Sequence, residues 1–421
     1  MSNERKQSKL DELLREYCPN GVAFMPIKDV YQRLKGTPIT AAKMKEIERA
    51  DGNIRIFAGG KTVIDAYEEN IPNANITRVP AVLVQSRGVI DAVYYENPFT
   101  FKNEMWAYTH ENKTAVKYLY YVLKNNIKKF REAASGMGSL PQISLKVTED
   151  FLLPAPPLPV QREIVRILDN FTALTAALTA ELAARKKQYG CYRDSLLSFA
   201  GNTDVKNVPL WDIAKFVYGY TDKAKETGSV RFVRITDIRE DGKLNPYDAK
   251  YVELTEESKK YLLEKGDLLL ARTGATYGKT LYFEADEPAV YASFLIKIIL
   301  DNSVIKNRYY WHFSKSSLYW EQAERYVSKG GQQQFNTNAV SRVKVPIPSL
   351  EVQDKIIYVL DNFDAICSDL KIGLPAEIEA RKKQYKFYRD ALLTYAATGI
   401  ITATDRQTDR QTDRQTDRQT D

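Results

Sequence analysis

Q-R-E-I-V-R-I-L-D-N-F at residues 161–171, followed by A-R-K-K-Q-Y at 184–189 and Y-R-D-S-L-L-S-F at 192–199, is the stretch that decides the fold, because the chain carries it twice. The second copy reads Q-D-K-I-I-Y-V-L-D-N-F at 353–363, A-R-K-K-Q-Y at 380–385 and Y-R-D-A-L-L-T-Y at 388–395. In the first copy Ile164, Leu168, Phe171, Thr175, Leu178, Leu182, Arg185, Tyr189, Tyr192, Leu196 and Phe199 alternate spacings of four and three. That repeat keeps one stripe of a helix facing a partner helix. No proline interrupts it, and its one glycine is Gly190. At 1.5 Å per residue such a helix is roughly 60 Å long. A lone helix of that length is not stable in water, so each copy is expected to be the other's partner. The copies are offset by 192 up to Phe171 and by 196 from Arg185 onward. The four extra residues fall around Gly373, Leu374 and Pro375, where the seam reads Leu370, Leu374, Ile378. Two spacings of four in a row, with a proline, predict a stutter and a kink.

The bulk numbers bound what surrounds these helices. A chain of 421 residues with ordinary globular composition has room for two to three domains. It contains no run of about eighteen apolar residues, which excludes a membrane-spanning helix. Its first residues, M-S-N-E-R-K-Q-S-K, lack the apolar core of a secretory signal. Cys18, Cys191 and Cys367 are too far apart for a disulfide framework or a metal site, and the expected setting is the reducing cytoplasm. His110 and His312 are the only histidines, which leaves little room for histidine catalysis. A net charge of +7 suits a polyanionic partner without requiring one.

Taken in order, residues 1–18 read as a short helix with Leu10, Leu13, Leu14 and Tyr17 on one face, ended by Pro19, Asn20 and Gly21. Shifted by 183, this segment falls on the end of the first long helix: Leu13 on Leu196, Leu14 on Leu197, Pro26 on Pro209, Gly36 on Gly219. The chain is therefore a circularly arranged duplicate. A helix tail leads to block 19–157, the long helix 158–200, block 201–349, the long helix 350–398 and a tail 399–421. Strand-like runs lie at 54–58, 81–86 and 89–95 in the first block, and at 231–235, 267–272 and 291–300 in the second. One helix is expected in each, at 113–134 and 307–326. The offset of 192 runs on from these helices, pairing Tyr118 with Tyr310, Gly138 with Gly330, Gln142 with Gln334 and Pro154 with Pro346. Elsewhere the blocks differ. A shared frame around diverged interiors suggests two copies of one reader, each reading something different. The expected class is α+β: two α/β blocks joined by two long antiparallel coiled-coil helices in a pseudo-two-fold circular arrangement. The tail repeats T-D-R-Q without an apolar residue and is expected to be disordered. Its four-residue period is also what a translated tract of the four-base unit ACAG would give, and slippage of such a tract would make it a length switch.

Few motifs carry chemistry. G-A-T-Y-G-K-T at 274–280 is one residue too short between its glycines to wrap a phosphate, and no long βαβ unit follows. It reads instead as a tight turn presenting Arg272, Thr273, Tyr277 and Lys279. Its counterpart in the first block is Gln85, Ser86, Arg87 and Gly88. The loop G-G-Q-Q-Q-F-N at 330–336 holds Gln332, Gln333, Gln334 and Asn336, and its counterpart holds Gln142. Amide side chains pair bidentately with adenine, and arginine with guanine. Solvation is the other explanation of so polar a loop. Arg185, Lys186, Lys187 and Gln188 recur as Arg381, Lys382, Lys383 and Gln384, a face that either meets another protein or is simply solvated.

Occurring in order, twice and at matched spacing, these motifs resemble the DNA-specificity subunits of Type I restriction-modification enzymes. P-L-P-V-Q-R-E-I-V at 157–165, L-D-N-F, A-R-K-K-Q-Y and Y-R-D-x-L-L carry the resemblance, which covers both helices closely and the block frames loosely. The T-D-R-Q tail departs from it. The resemblance implies two target-recognition domains on double-stranded DNA, each reading half of a split site, with the paired helices setting their distance. It implies two modification subunits that methylate adenine with S-adenosylmethionine, and two restriction subunits, the motor-nucleases, that use ATP and Mg. This chain would bind none of these cofactors, carry no catalytic residue and meet no membrane. The DNA-contact candidates are then Gln85, Ser86, Arg87, Gln142, Arg272, Thr273, Tyr277, Lys279, Gln332, Gln333, Gln334 and Asn336. The two R-K-K-Q faces are the candidates for partner-subunit contact. A self-contained methyltransferase or nuclease is the rival reading, opposed by the missing cofactor loop. A coiled-coil adaptor is the third.

Overall fold

Strand by strand, the duplicated frame is present in a computed structural model, which describes residues 8–135, 140–199, 201, 204–328 and 334–398. Gly138, Gly330, Gln332, Gln333 and the T-D-R-Q tail lie outside the described residues. The first half carries β1 (Phe24–Pro26), β2 (Gln32–Leu34), β3 (Ile54–Phe57), β4 (Val63–Ala66), β5 (Ala81–Gln85), β6 (Asp91–Tyr95), β7 (Phe99–Phe101), β8 (Trp106–Thr109) and β9 (Leu152–Pro154). The second carries β10 (Lys206–Pro209), β11 (Ala214–Tyr218), β12 (Val230–Val233), β13 (Tyr251–Val252), β14 (Leu268–Ala271), β15 (Thr280–Tyr282), β16 (Ala289–Tyr291), β17 (Leu295–Leu300) and β18 (Lys344–Ile347). The sheets match: β2-β8-β5-β6 with β11-β17-β14-β15, β4-β3-β7 with β13-β12-β16, and β1-β9 with β10-β18. Even the parallel pairing recurs, β3 with β7 and β12 with β16.

The central strands show why this frame forms. β5 (A-V-L-V-Q) and β14 (L-L-L-A) are buried along their whole length. Side chains alternate across a strand, so a continuous apolar run serves two cores at once. Val82 and Val84 join one cluster and Ala81 and Leu83 another; Leu268 and Leu270 separate from Leu269 and Ala271 in the same way. The expected run 291–300 is interrupted, giving β16 and β17 around a turn at Ala292–Leu295 closed by a hydrogen bond (2.8 Å).

Besides short α-helices at Ile27–Val30, Ala41–Ile47, Leu145–Glu149 and Leu210–Ile213, the α-helices of the described residues are α1 (Lys9–Tyr17), α2 (Lys113–Asn125), α3 (Ile127–Glu132), α4 (Leu158–Ser198), α5 (Asn307–Phe313), α6 (Ser317–Tyr326), α7 (Thr337–Val340), α8 (Leu350–Ser368) and α9 (Leu374–Thr398). Each helix expected inside a block is split in two. At 314–316 the cause is serine: the Ser314 and Ser316 hydroxyls donate back to the Trp311 and Phe313 carbonyls (2.8 and 2.6 Å), and Ser316 caps α6 through the Tyr319 N–H (3.2 Å). α4 runs unbroken for 41 residues. The second long helix is broken rather than kinked. Asp369 accepts from the N–H groups of Lys371 (2.6 Å) and Ile372 (3.1 Å), a local turn that competes with the helix. A Cβ on Gly373 would stand 2.5 Å from the Ala365 carbonyl oxygen, so glycine permits the close return. Leu370, expected on the seam, is exposed as a result. Arg185 is exposed too, held by Glu181 (2.7 Å) and Gln188 (3.1 Å) on its own helix.

The chain forms two units: residues up to Ala176 with those from Ala380 on, and Ala177–Glu379. Within the first, Phe171 of α4 stacks on Tyr388 of α9, with centroids 5.3 Å apart at 25°. Within the second, Phe363 of α8 stacks on Tyr192 of α4, 5.3 Å apart at 26°. These are the same two repeat positions with the copies exchanged, so in each unit the start of one copy meets the end of the other. The aspartate of L-D-N-F has one task in both. Asp169 takes the Tyr121 hydroxyl and the Lys117 amine (3.0 Å) from α2. Asp361 takes Arg308 Nε (2.7 Å) and His312 Nε2 (2.8 Å) from α5. It fastens each block's helix to a long one.

Candidate nucleic-acid interface

The hairpins β5–β6 and β14–β15 each turn just beyond a fully buried strand, and both turns use a glycine at φ +74°: Gly88 and Gly274. A left-handed residue there favours glycine, which redirects the chain without a Cβ clash. The loop after the block's helices is tied to this turn. In the first unit the Ile143 N–H donates to the Ser86 carbonyl (2.9 Å) and the Gly88 N–H to the Pro141 carbonyl (2.9 Å), while Gln142 and Ser135 exchange two backbone hydrogen bonds (2.9 and 3.1 Å). In the second, the Phe335 N–H donates to the Arg272 carbonyl (2.8 Å), and Gln334 bridges Thr273 and Ser328. The two sets of candidates from distant parts of the sequence therefore meet, once per unit.

Not every candidate faces outward. Gln85, Ser86 and Thr273 are 5%, 0% and 5% exposed, so they build the turn and leave solvent to their neighbours. Asn336 caps α7, its side-chain oxygen accepting from the Ala339 N–H (3.0 Å). Tyr277 packs edge-on against Trp320. Lys279 pairs with Glu240 (2.5 Å) and lines a cavity of about 590 Å³ with Lys186, Tyr189 and Asp364. The turn itself is closed by the Gly278 N–H on the Ala271 carbonyl (2.8 Å), as a hairpin rather than a phosphate cradle. Arg87, Gln142 and Gln334 are exposed, and Arg272 is half-buried.

Strand register shows what differs between the units at this edge. Leu34 and Leu83 both pair with Ala107; Val217 and Leu269 both pair with Lys297. Counting outward, Lys35, Ser86 and Glu104 take the places of Tyr218, Arg272 and Phe294. In the first unit the Glu104 carboxylate binds Lys102 (2.9 Å) and the Gly59 N–H (3.2 Å); the lysine holds it below the usual carboxylate range. In the second, the Arg272 guanidinium lies between two rings, 5.2 Å from the centroid of Tyr218 and 5.5 Å from that of Phe294. The Tyr218 hydroxyl meets the hydroxyl of Thr337 (3.2 Å). Tyr218 and Phe294 are 40% and 51% exposed, unusual for rings at strand ends. Neither was legible in advance: A-S-F lies inside the strand-like run 291–300, residues 214–218 carried no strand expectation, and only the register sets both rings beside Arg272.

The R-K-K-Q faces repeat an internal bond. Arg185 donates to Gln188 (3.1 Å) and Arg381 to Gln384 (2.9 Å), while Lys187, Lys382 and Lys383 are exposed. Among the described residues no cluster of histidine, cysteine and carboxylate groups could hold a metal ion, and no helix is long and apolar enough to cross a membrane.

Comparison with known proteins adds a family model described as Type I restriction modification DNA specificity domain, which matches residues 19–185 and again 202–380. The chain is 28% identical over 396 residues to the Type I restriction enzyme EcoR124I/EcoR124II specificity subunit of Escherichia coli, covering 86% of this chain and 96% of that one. It is 31% identical over 378 residues to a putative Type I restriction enzyme specificity subunit of Haemophilus influenzae, covering 84% and 91%. In fold it is similar to the crystal structure of the Type I restriction-modification S subunit from M. genitalium, with a TM-score of 0.57 at 17% identity over 90% of this chain and 97% of that one.

Proposed function

Because the chain belongs to the Type I restriction-modification DNA specificity family, we propose that it reads a bipartite target on double-stranded DNA, one half with each unit. Blocks 19–157 and 201–349 are the target-recognition domains. The observation that carries this is the recurrence of one hairpin edge with its side chains exchanged, Lys35, Ser86 and Glu104 against Tyr218, Arg272 and Phe294. A constant frame with variable edge chemistry is what two readers of different sequences need, since base edges are told apart by donor and acceptor pattern. Arg87, Gln142, Arg272 and Gln334 are the side chains offered to bases; exposed lysines supply salt-sensitive phosphate contacts. The chain itself does no chemistry and binds no cofactor. Two modification subunits bring S-adenosylmethionine, two restriction subunits bring ATP and Mg, and the R-K-K-Q faces of α4 and α9 meet the partner subunits. The complex works in the cytoplasm.

Exchange of residues 201–349 for those of a relative tests the reading. With the modification subunit present and methylated adenines mapped across a genome, one half of the methylated motif should change and the other stay. If both halves change, or neither does, the division of labour is wrong.

A further inference from the structure

We propose that Arg272 reads a guanine in the half-site taken by the second unit, held for that task between Tyr218 and Phe294; this rests on the reading of the chain as a two-part DNA reader. The backbone of Arg272 is fixed on both sides, its N–H on the Phe294 carbonyl (3.1 Å) and its C=O under the Phe335 N–H (2.8 Å). Its guanidinium lies between two exposed rings, the arrangement in which the planar cation is favoured by aromatic faces and cannot swing freely. Tyr218 is in turn tied to the start of α7 through Thr337. Arg231, Arg234, Arg239 and Arg308 of the same unit each sit against a carboxylate. The Arg272 side chain has no hydrogen-bond or ion-pair partner among the described residues, and its Nε is buried without an acceptor.

A buried, unpaired donor on a fixed arginine calls for an explanation. A solvated surface arginine would be mobile, and a structural one would be neutralised. A rigid, unneutralised fork matches a planar pair of acceptors, and in the major groove guanine O6 and N7 present that pair. A phosphate makes a weaker demand, since a flexible lysine serves it as well. Gln334 is exposed and joined by its backbone to Thr273, the residue after Arg272. The first unit has serine at the arginine's place and a carboxylate at one ring's place, so it does not read guanine here.

The test is the methylated motif made by the chain with its modification subunit in a host free of other adenine methylation, with the second unit's half-site assigned by the block exchange. Arg272→Ala and Arg272→Lys should each make one guanine of that half-site degenerate, lowering discrimination roughly 5- to 150-fold, and leave the other half sharp. Phe294→Ala should relax the same base, more weakly. If Arg272→Ala abolishes methylation altogether, Arg272→Lys, which keeps charge and bulk, decides: relaxed guanine preference supports the proposal, full specificity overturns it. A uniform fall at all sites with no base degenerate makes Arg272 a phosphate contact and overturns it, while the two-part reading stands. A block exchange that fails to move one half alone removes the parent reading instead.

Discussion

His312 shows how much one residue of the frame can decide. It is fully buried, with Nδ1 beside the Tyr189 hydroxyl (3.1 Å) and Nε2 beside Asp361 (2.8 Å). Both contacts suit a neutral ring that donates to the carboxylate and accepts from the tyrosine. Burial pushes the imidazole from its ordinary 6.5 down to about 4, against the pull of Asp361. Between those values the unfolded chain binds the extra proton and the native chain does not. Stability therefore falls as pH drops from 6.5 towards 4, by about 3 kcal/mol over the whole window. His312→Gln removes the titrating group, so its urea midpoint should fall less between pH 7 and 5 than that of the parent chain. Equal slopes would show that the histidine titrates normally. Its repeat partner is Tyr120, which cannot take a proton, so the sensitivity belongs to the second unit.

Among the elements, α4 and its broken counterpart carry the arrangement. An insertion of four residues keeps a stripe of period 3.5 nearly in phase while lengthening a helix by about 6 Å. Nature has made one such insertion, and the chain absorbs it within the loop 369–373, closed by Asp369 and Gly373. α4 has no such loop, so a second Thr179-Ala180-Glu181-Leu182 placed after the first should extend it. The expected outcome is a methylated motif with about one more base pair between its halves, since a base pair spans about 3.4 Å of the duplex axis and part of the added length is taken up by the fit. Mapping of methylated adenines reads this directly. An unchanged gap would mean that helix length is not the ruler.

For the whole molecule, the division of labour is the question. Nothing in the described residues gathers a metal site, and the two histidines are spent, one beside Asp361 and the other, through His110 Nδ1, on the Asn112 N–H (2.9 Å). If the chain supplies specificity alone, as proposed, the purified chain incubated with DNA and S-adenosylmethionine should transfer no methyl group until a cognate modification subunit is added. Methyl incorporation before that addition, followed with labelled cofactor, would return the chain to the class of self-contained enzymes.

The long helices, their mutual pairing and the duplication were legible in the letters, because a heptad stripe and a repeated stretch are properties of a one-dimensional string. The meeting of the two loops was not: Gln142 and Gln334 share an offset, but nothing in the letters joins either of them to the glycine turn. Tertiary structure decided the rest. Serine hydroxyls and an aspartate turn broke helices that propensity would have continued, because side-chain oxygens compete with the backbone for its own hydrogen bonds. Burial withdrew Gln85, Ser86 and Thr273 from the surface, since the central strand's two-sided core runs past its last apolar residue. Strand register, which no local pattern reveals, brought Tyr218 and Phe294 from separate strands to either side of Arg272.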